Sequence, residues 1–109
     1  MEAYVRNEVE MELFVKNEGG EARWVEADII TPEAVSLAPD RSLSKGRIRI
    51  GIALPGERIS KKIKIFGGAG SYPDTYAIRL TLFGYGADGT IAERCELRSE
   101  LRCERAGYG

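Results

Sequence analysis

The chain has 109 residues, 43% hydrophobic and 30% charged, with 16 Lys and Arg against 17 Asp and Glu for a net charge of −1. That length holds one domain, expected to span 1–109 with a core from about 4 to 104, and buries enough surface to fold without a metal or disulfide. The absence of His removes the commonest general base and metal ligand, and the balanced charge speaks against a nucleic-acid partner.

The apolar period is two along nearly the whole chain. Val9, Met11, Leu13 and Val15 alternate with Glu8, Glu10, Glu12 and Lys16, and Asn17–Glu18–Gly19–Gly20 ends the run with turn chemistry. A second strand, Trp24 to Ile30, sets Val25, Ala27 and Ile29 against Glu26 and Asp28 and stops at Thr31–Pro32. A short third run, Val35 to Leu37, ends at Pro39–Asp40, and Asp40 to Gly46 reads as a polar loop. Ile48, Ile50, Ile52 and Leu54 share one parity in a fourth strand, before the turn signal Pro55–Gly56. Ile59, Ile63 and Ile65 then alternate with Ser60, Lys62 and Lys64, and Gly67–Ser71 reads as a flexible loop.

Tyr76, Ile78, Leu80 and Leu82 define a sixth strand, and Gly84 to Gly89 closes a hairpin in which Asp88–Gly89 suits positive φ. The last run places Ile91, Cys95, Leu97, Leu101 and Cys103 on one parity and Arg94, Glu96, Arg98, Glu100, Arg102 and Glu104 on the other. Leu97 and Leu101 are four apart, so a C-terminal helix is the one local rival. Seven short strands separated by Pro and Gly turns imply an all-β, two-sheet antiparallel β-sandwich.

No apolar stretch approaches the length of a membrane span, so no membrane partner is expected. Met1–Glu2–Ala3–Tyr4–Val5–Arg6 lacks the basic-then-apolar pattern of a signal peptide. The expectation is a cytoplasmic protein, the alternative being a module of a cell-surface protein. There is no Gln and only two Asn, beside many charges of mixed sign, which is the composition of a thermophile.

The order Val15–Lys16–Asn17–Glu18–Gly19, then Pro32, then Leu54–Pro55–Gly56–Glu57, then Tyr76 among alternating apolar residues, resembles the CARDB, NEW and related fibronectin type III-like sandwich modules of archaeal and bacterial cell-surface proteins. The resemblance covers roughly residues 5 to 95. It implies an Ig-like form of the sandwich, with adhesion, spacing or ligand presentation and no catalysis. The expected departures from such modules are three: no signal peptide, a lone module instead of a tandem one, and a last strand with an Arg/Glu row and two Cys.

Cys95 and Cys103 are the only residues with redox or metal potential, and two thiolates without His do not complete a four-ligand zinc site. On one straight strand their Cα atoms lie about 26 Å apart, beyond disulfide reach. A turn at Arg98–Ser99–Glu100 would let them pair, and edge-strand contact would let them pair between chains. Two buried or half-buried thiols remain the plainest alternative. The Arg/Glu row reads either as a solvated face guarding a long edge or as a self-complementary homodimer seam over Leu97 and Leu101. Trp24, Tyr72 and Tyr85, near strand ends or loops, are candidate binding aromatics. Lys61, Lys62 and Lys64 beside Phe66 form too small a basic group for nucleic acid. Gly67–Ser71 lacks the ending of a phosphate-binding loop.

Together these features point to a non-enzymatic binding or assembly module without cofactor, meeting a protein partner or itself through strand edges or aromatics. The alternative is a chaperone-like sandwich resembling the small heat-shock or p23 group, with which Leu54–Pro55–Gly56–Glu57 and the following Ile/Lys alternation are compatible.

Overall fold

The computed structural model describes residues 1–105. Six strands alternate across it: β1 (Asn7–Lys16), β2 (Arg23–Ile30), β3 (Lys45–Ala53), β4 (Arg58–Gly67), β5 (Asp74–Tyr85) and β6 (Ile91–Cys103). They form two antiparallel sheets, β1–β4 and β3–β2–β5–β6, consistent with a β-sandwich. Leu13, Ile63 and Ile65 of the smaller sheet meet Ala27, Ile29, Tyr76, Ile78 and Leu80 of the larger, all buried. Inward apolar residues at every second position make this core, as the alternation requires.

Six strands are found among the described residues, where the alternation suggests seven. The run Val35–Leu37 contributes one bridge, with Ser36 N–H donating to Phe66 O (2.9 Å) and Phe66 N–H to Ser36 O (2.8 Å). Val35 is buried beside it. Hemmed between Pro32 and Pro39, the segment is too short to pair further. The C-terminal helix is likewise replaced by strand: β6 pairs with β5 from Ile91 to Cys103, and this long-range ladder overrides the Leu97/Leu101 spacing.

Two bulges change the faces assigned by parity. Val25 faces Gly51 while Glu26 faces Arg49, so Ile50 is an extra residue in β3. Gly51 takes φ +137°, a conformation that excludes ordinary side chains. Gly84 faces Glu93 while Tyr85 faces Ile91, so Ala92 is extra in β6. Beyond each bulge the parity inverts, and Ile52 and Ile91 turn away from the core that their spacing assigns them.

Asn17 clamps the β1–β2 and β3–β4 connections together. Its Nδ2 donates to Glu21 O (2.7 Å) and Ala53 O (2.9 Å), and its Oδ1 accepts from Gly19 N–H (3.0 Å). Its own N–H donates to Glu57 O, and its carbonyl accepts from Gly56 N–H. Gly56, at φ +78°, occupies the third position of the turn closed by Glu57 N–H to Leu54 O. Thus Asn17–Glu18–Gly19 and Pro55–Gly56–Glu57 are two sides of one contact.

The described chain is elongated, 54 × 26 × 19 Å, with a radius of gyration of 16.1 Å. A compact chain of this length would have about 13 Å. The two longest strands, β5 and β6, run along each other in the larger sheet.

Candidate protein-interaction site

β6 is buried at one end and bare at the other. Every residue from Ile91 to Arg98 is exposed, inward-facing Cys95 and Leu97 included, whereas alternation resumes at Ser99 and Cys103 is 2% exposed. The far edge of β6 is also divided. Met1 N–H donates to Arg102 O (3.1 Å), Glu104 N–H to Met1 O (3.0 Å), and Ala3 N–H to Glu104 O (2.7 Å). The N-terminal residues therefore cover this edge at 102–104.

In a strand, the N–H and C=O of one residue point to the same side and alternate between neighbours. The bonds at Arg102 and Glu104 thus assign the even-numbered residues to the outer edge. From Arg94 to Glu100 those groups face away from β5 on an edge strand.

The outer face at this end carries an apolar row across all four strands, Ile52–Trp24–Tyr85–Ile91 in register. Ile52 and Ile91 are 56% and 55% exposed. Trp24 and Tyr85 are half-buried between them, and Trp24 Nε1–H donates to Glu26 Oε2 at 2.6 Å. The next row is Arg49–Glu26–Phe83–Arg94. Phe83 lies 6.4 Å from Tyr85 and takes the guanidinium groups of Arg47 (5.2 Å) and Arg94 (5.9 Å) toward its ring. Arg47 is fixed by Asp28 through Nε to Oδ1 (2.6 Å) and Nη2 to Oδ2 (3.1 Å). This paired hydrogen bond holds the Asp28 carboxyl below its ordinary range.

On the inner face of the same end lies an open groove of about 350 Å³. Val25, Leu82, Cys95 and Leu97 line it from the larger sheet, and Phe14 and Val15 from β1. Arg23 and Glu93 add charge, with Arg23 Nε 3.5 Å from Glu93 Oε1 and buried without a well-directed hydrogen bond.

The sequence candidates separate accordingly. Trp24 and Tyr85 are neighbours in the row, whereas Tyr72 lies beside the opposite end of β5, edge-on to Tyr76 at 5.7 Å. Leu97 lines the groove and is 39% exposed, while Leu101 is half-buried against the core. Cys95 and Cys103 are both free thiols, exposed and buried respectively. β6 runs unbroken through Arg98–Ser99–Glu100, so no turn brings them together and an intrachain disulfide is excluded. Cys103 Sγ–H instead points to Ser71 O at 3.7 Å.

Of the lysines, Lys62 pairs with Glu10 and Lys64 with Glu8, both at 3.6 Å. The glycine-rich loop is anchored, not free: Ser71 is fully buried, its Oγ–H donating to Ala34 O (2.6 Å) and its Oγ accepting from Gly68 N–H (3.0 Å). Ile52 and Ile91 are the members that pattern reasoning missed. The signal available was the bulge-prone glycine at 51 and the hairpin glycines at 84 and 86.

No group of three His, Cys, Asp or Glu side chains that could hold a metal occurs among the described residues. Asp28 and Asp88 are both held below the usual carboxylate range, Asp88 by the Thr90 hydroxyl and N–H. Burial, above all, pushes the Tyr76 hydroxyl up to about 12. No helix of the described residues is long and apolar enough to cross a membrane. Comparison with protein-family models, curated proteins and solved structures yields no match to this chain.

Proposed function

We propose that this protein is a non-enzymatic binding module that engages another protein at the open end of its four-stranded sheet. One observation carries the reading: residues 91–98 of β6 are exposed on both faces, and their outer edge turns unpaired backbone groups outward. An extended segment added there finds main-chain hydrogen bonds along the edge and alternating side-chain positions beside the row and the groove. Apolar and aromatic side chains ringed by arginines suit such an anchor. An adhesive or assembly role of the kind implied by the CARDB-like motifs fits the same geometry, in the cytoplasm or on a cell surface.

A photo-crosslinking residue at Ile91, used in extract from the source cells, tests this reading. A discrete protein adduct is expected, lost when Trp24→Ala and Tyr85→Ala are added, and absent when the probe stands at Lys64 on the other sheet. Equal labelling from both positions, or none, would remove the reading.

A further inference from the structure

We propose that the occupant of the β6 edge is a second copy of this chain, paired antiparallel to it about a two-fold axis at Leu97. The inference rests on the protein-binding reading above and names its partner. Three constraints lead to it independently.

The first is charge. On the outer face of β6, Arg94, Glu96, Arg98 and Glu100 alternate in sign at every second residue. Antiparallel pairing with an identical strand keeps faces and hydrogen-bond phase only when even residues meet even and odd meet odd. Among those registers, the ones centred on an odd residue set Arg opposite Glu, and those centred on an even residue set like charges together. Cross-strand opposition of this kind selects between neighbouring registers.

The second is the covered end. Met1–Ala3 already occupy the edge at Arg102 and Glu104, leaving Arg94 to Glu100 open. A register centred on Ser99 would bring Arg94 opposite Glu104, which is taken. Centring on Leu97 uses the open stretch without conflict: Arg94 faces Glu100 of the partner and Glu96 faces Arg98 of the partner. On the inner face Leu97 meets its own copy, and Cys95 meets Ser99 of the partner. The exposed Leu97 is thereby covered.

The third is the other long edges, β1, β3 and β4, whose outward rows do not alternate in sign. β3 presents Lys45, Arg47 and Arg49, β4 presents Arg58, Lys62 and Lys64, and β1 presents Glu8, Glu10 and Glu12 ahead of Phe14 and Lys16. The basic rows of β3 and β4 repel their own copies when paired over these residues, the acids Glu8 and Glu10 of β1 are already paired with Lys64 and Lys62, and β3 carries a bulge. β6 is the long edge whose row alternates Arg with Glu, so one register sets every pair opposite in sign and the association closes as a two-fold dimer.

The test combines sedimentation with two sets of variants. The wild-type protein sediments as a concentration-dependent dimer. Arg98→Glu weakens it about tenfold or more, because both symmetric Glu96–Arg98 contacts become repulsive. Adding Glu96→Arg to Arg98→Glu restores the dimer in the Leu97-centred register. In the Ser99-centred register the same pair of changes leaves repulsion in place, so failure of restoration overturns the proposal.

Disulfide trapping reads the axis directly. In a Cys95→Ser background, Leu97→Cys forms a disulfide-linked dimer under mild oxidation, since facing non-hydrogen-bonded residues lie about 4.5 Å apart at Cα. Ser99→Cys in that background does not. Trapping at 99 instead of 97, or a monomer at all concentrations, contradicts the proposal. A monomer whose Ile91 probe still captures a protein of different mass would leave the binding module standing with another partner. A monomer that captures nothing would remove both.

Discussion

The two halves of β6 share one sequence pattern and meet opposite fates. From Ser99 to Cys103 the inward residues oppose Ile78, Tyr76 and Asp74 of β5 and lie against the core, and the N-terminal residues seal the end of the edge. From Arg94 to Arg98 the same alternation faces a groove on one side and solvent on the other. Alternation therefore specifies which face a residue takes, and the reach of the opposing sheet decides whether that face is buried. One half holds the fold together and the other is available to a partner.

The largest contrast is expected from truncating one residue in each half's neighbourhood. Ile78→Ala, at a side chain 1% exposed opposite Ser99, should cost about 3–4 kcal/mol in urea unfolding. Leu97→Ala, measured on dilute protein, should cost about 1 kcal/mol, because a side chain 39% exposed at an open groove has less burial to lose. Equal costs would show that the groove end is as well packed as the sealed end.

Asn17→Ala comes next. It removes the donors to Glu21 and Ala53 and the acceptor for Gly19 at a residue 6% exposed. A loss of about 2–3 kcal/mol is expected from the stranded carbonyls. The same change should loosen Phe14 and Val15 at the rim of the groove, seen as faster amide exchange there, with the sealed end of β6 unaffected.

A smaller effect distinguishes the sealed end by pH. Tyr76, 3% exposed, donates its hydroxyl to Tyr72 O, and burial is the main reason its ionisation is pushed from 10.0 to about 12, the Cys103 thiol adding to it. The folded protein then holds this proton more tightly than the unfolded chain does. Its contribution is complete below pH 10 and is lost as pH rises toward about 12. In Tyr76→Phe that part of the alkaline decline in the urea midpoint should disappear.

Much of the sandwich is legible in the sequence, because alternation, Pro and Gly identify five of the six strands together with their faces almost unaided. The sixth, β6, is legible as an alternating row, and pairing with β5 settles it against a helix. The apolar row is not legible in the same way. Ile52 and Ile91 follow the spacing of core residues, and only the bulge beside each, at Ile50 and at Ala92, turns it outward. A bulge depends on how two strands match across a sheet, which no single strand's spacing encodes. The short run at Val35 fails for the opposite reason, since a strand-like composition does not ensure enough length to pair. The cysteines depended on whether Arg98–Ser99–Glu100 is straight, a question that only the ladder to β5 answers.

Amide hydrogen exchange along β6, resolved residue by residue and followed over a range of protein concentration, tests the division of this strand most directly. In dilute protein the amides of Cys95, Leu97, Ser99 and Leu101, directed to β5, should be protected, while those of Arg94, Glu96, Arg98 and Glu100 exchange freely. Raising the concentration should protect the second set and leave the first unchanged. Free exchange of the second set at every concentration would contradict self-pairing. Protection of both sets in dilute protein would contradict an open edge altogether.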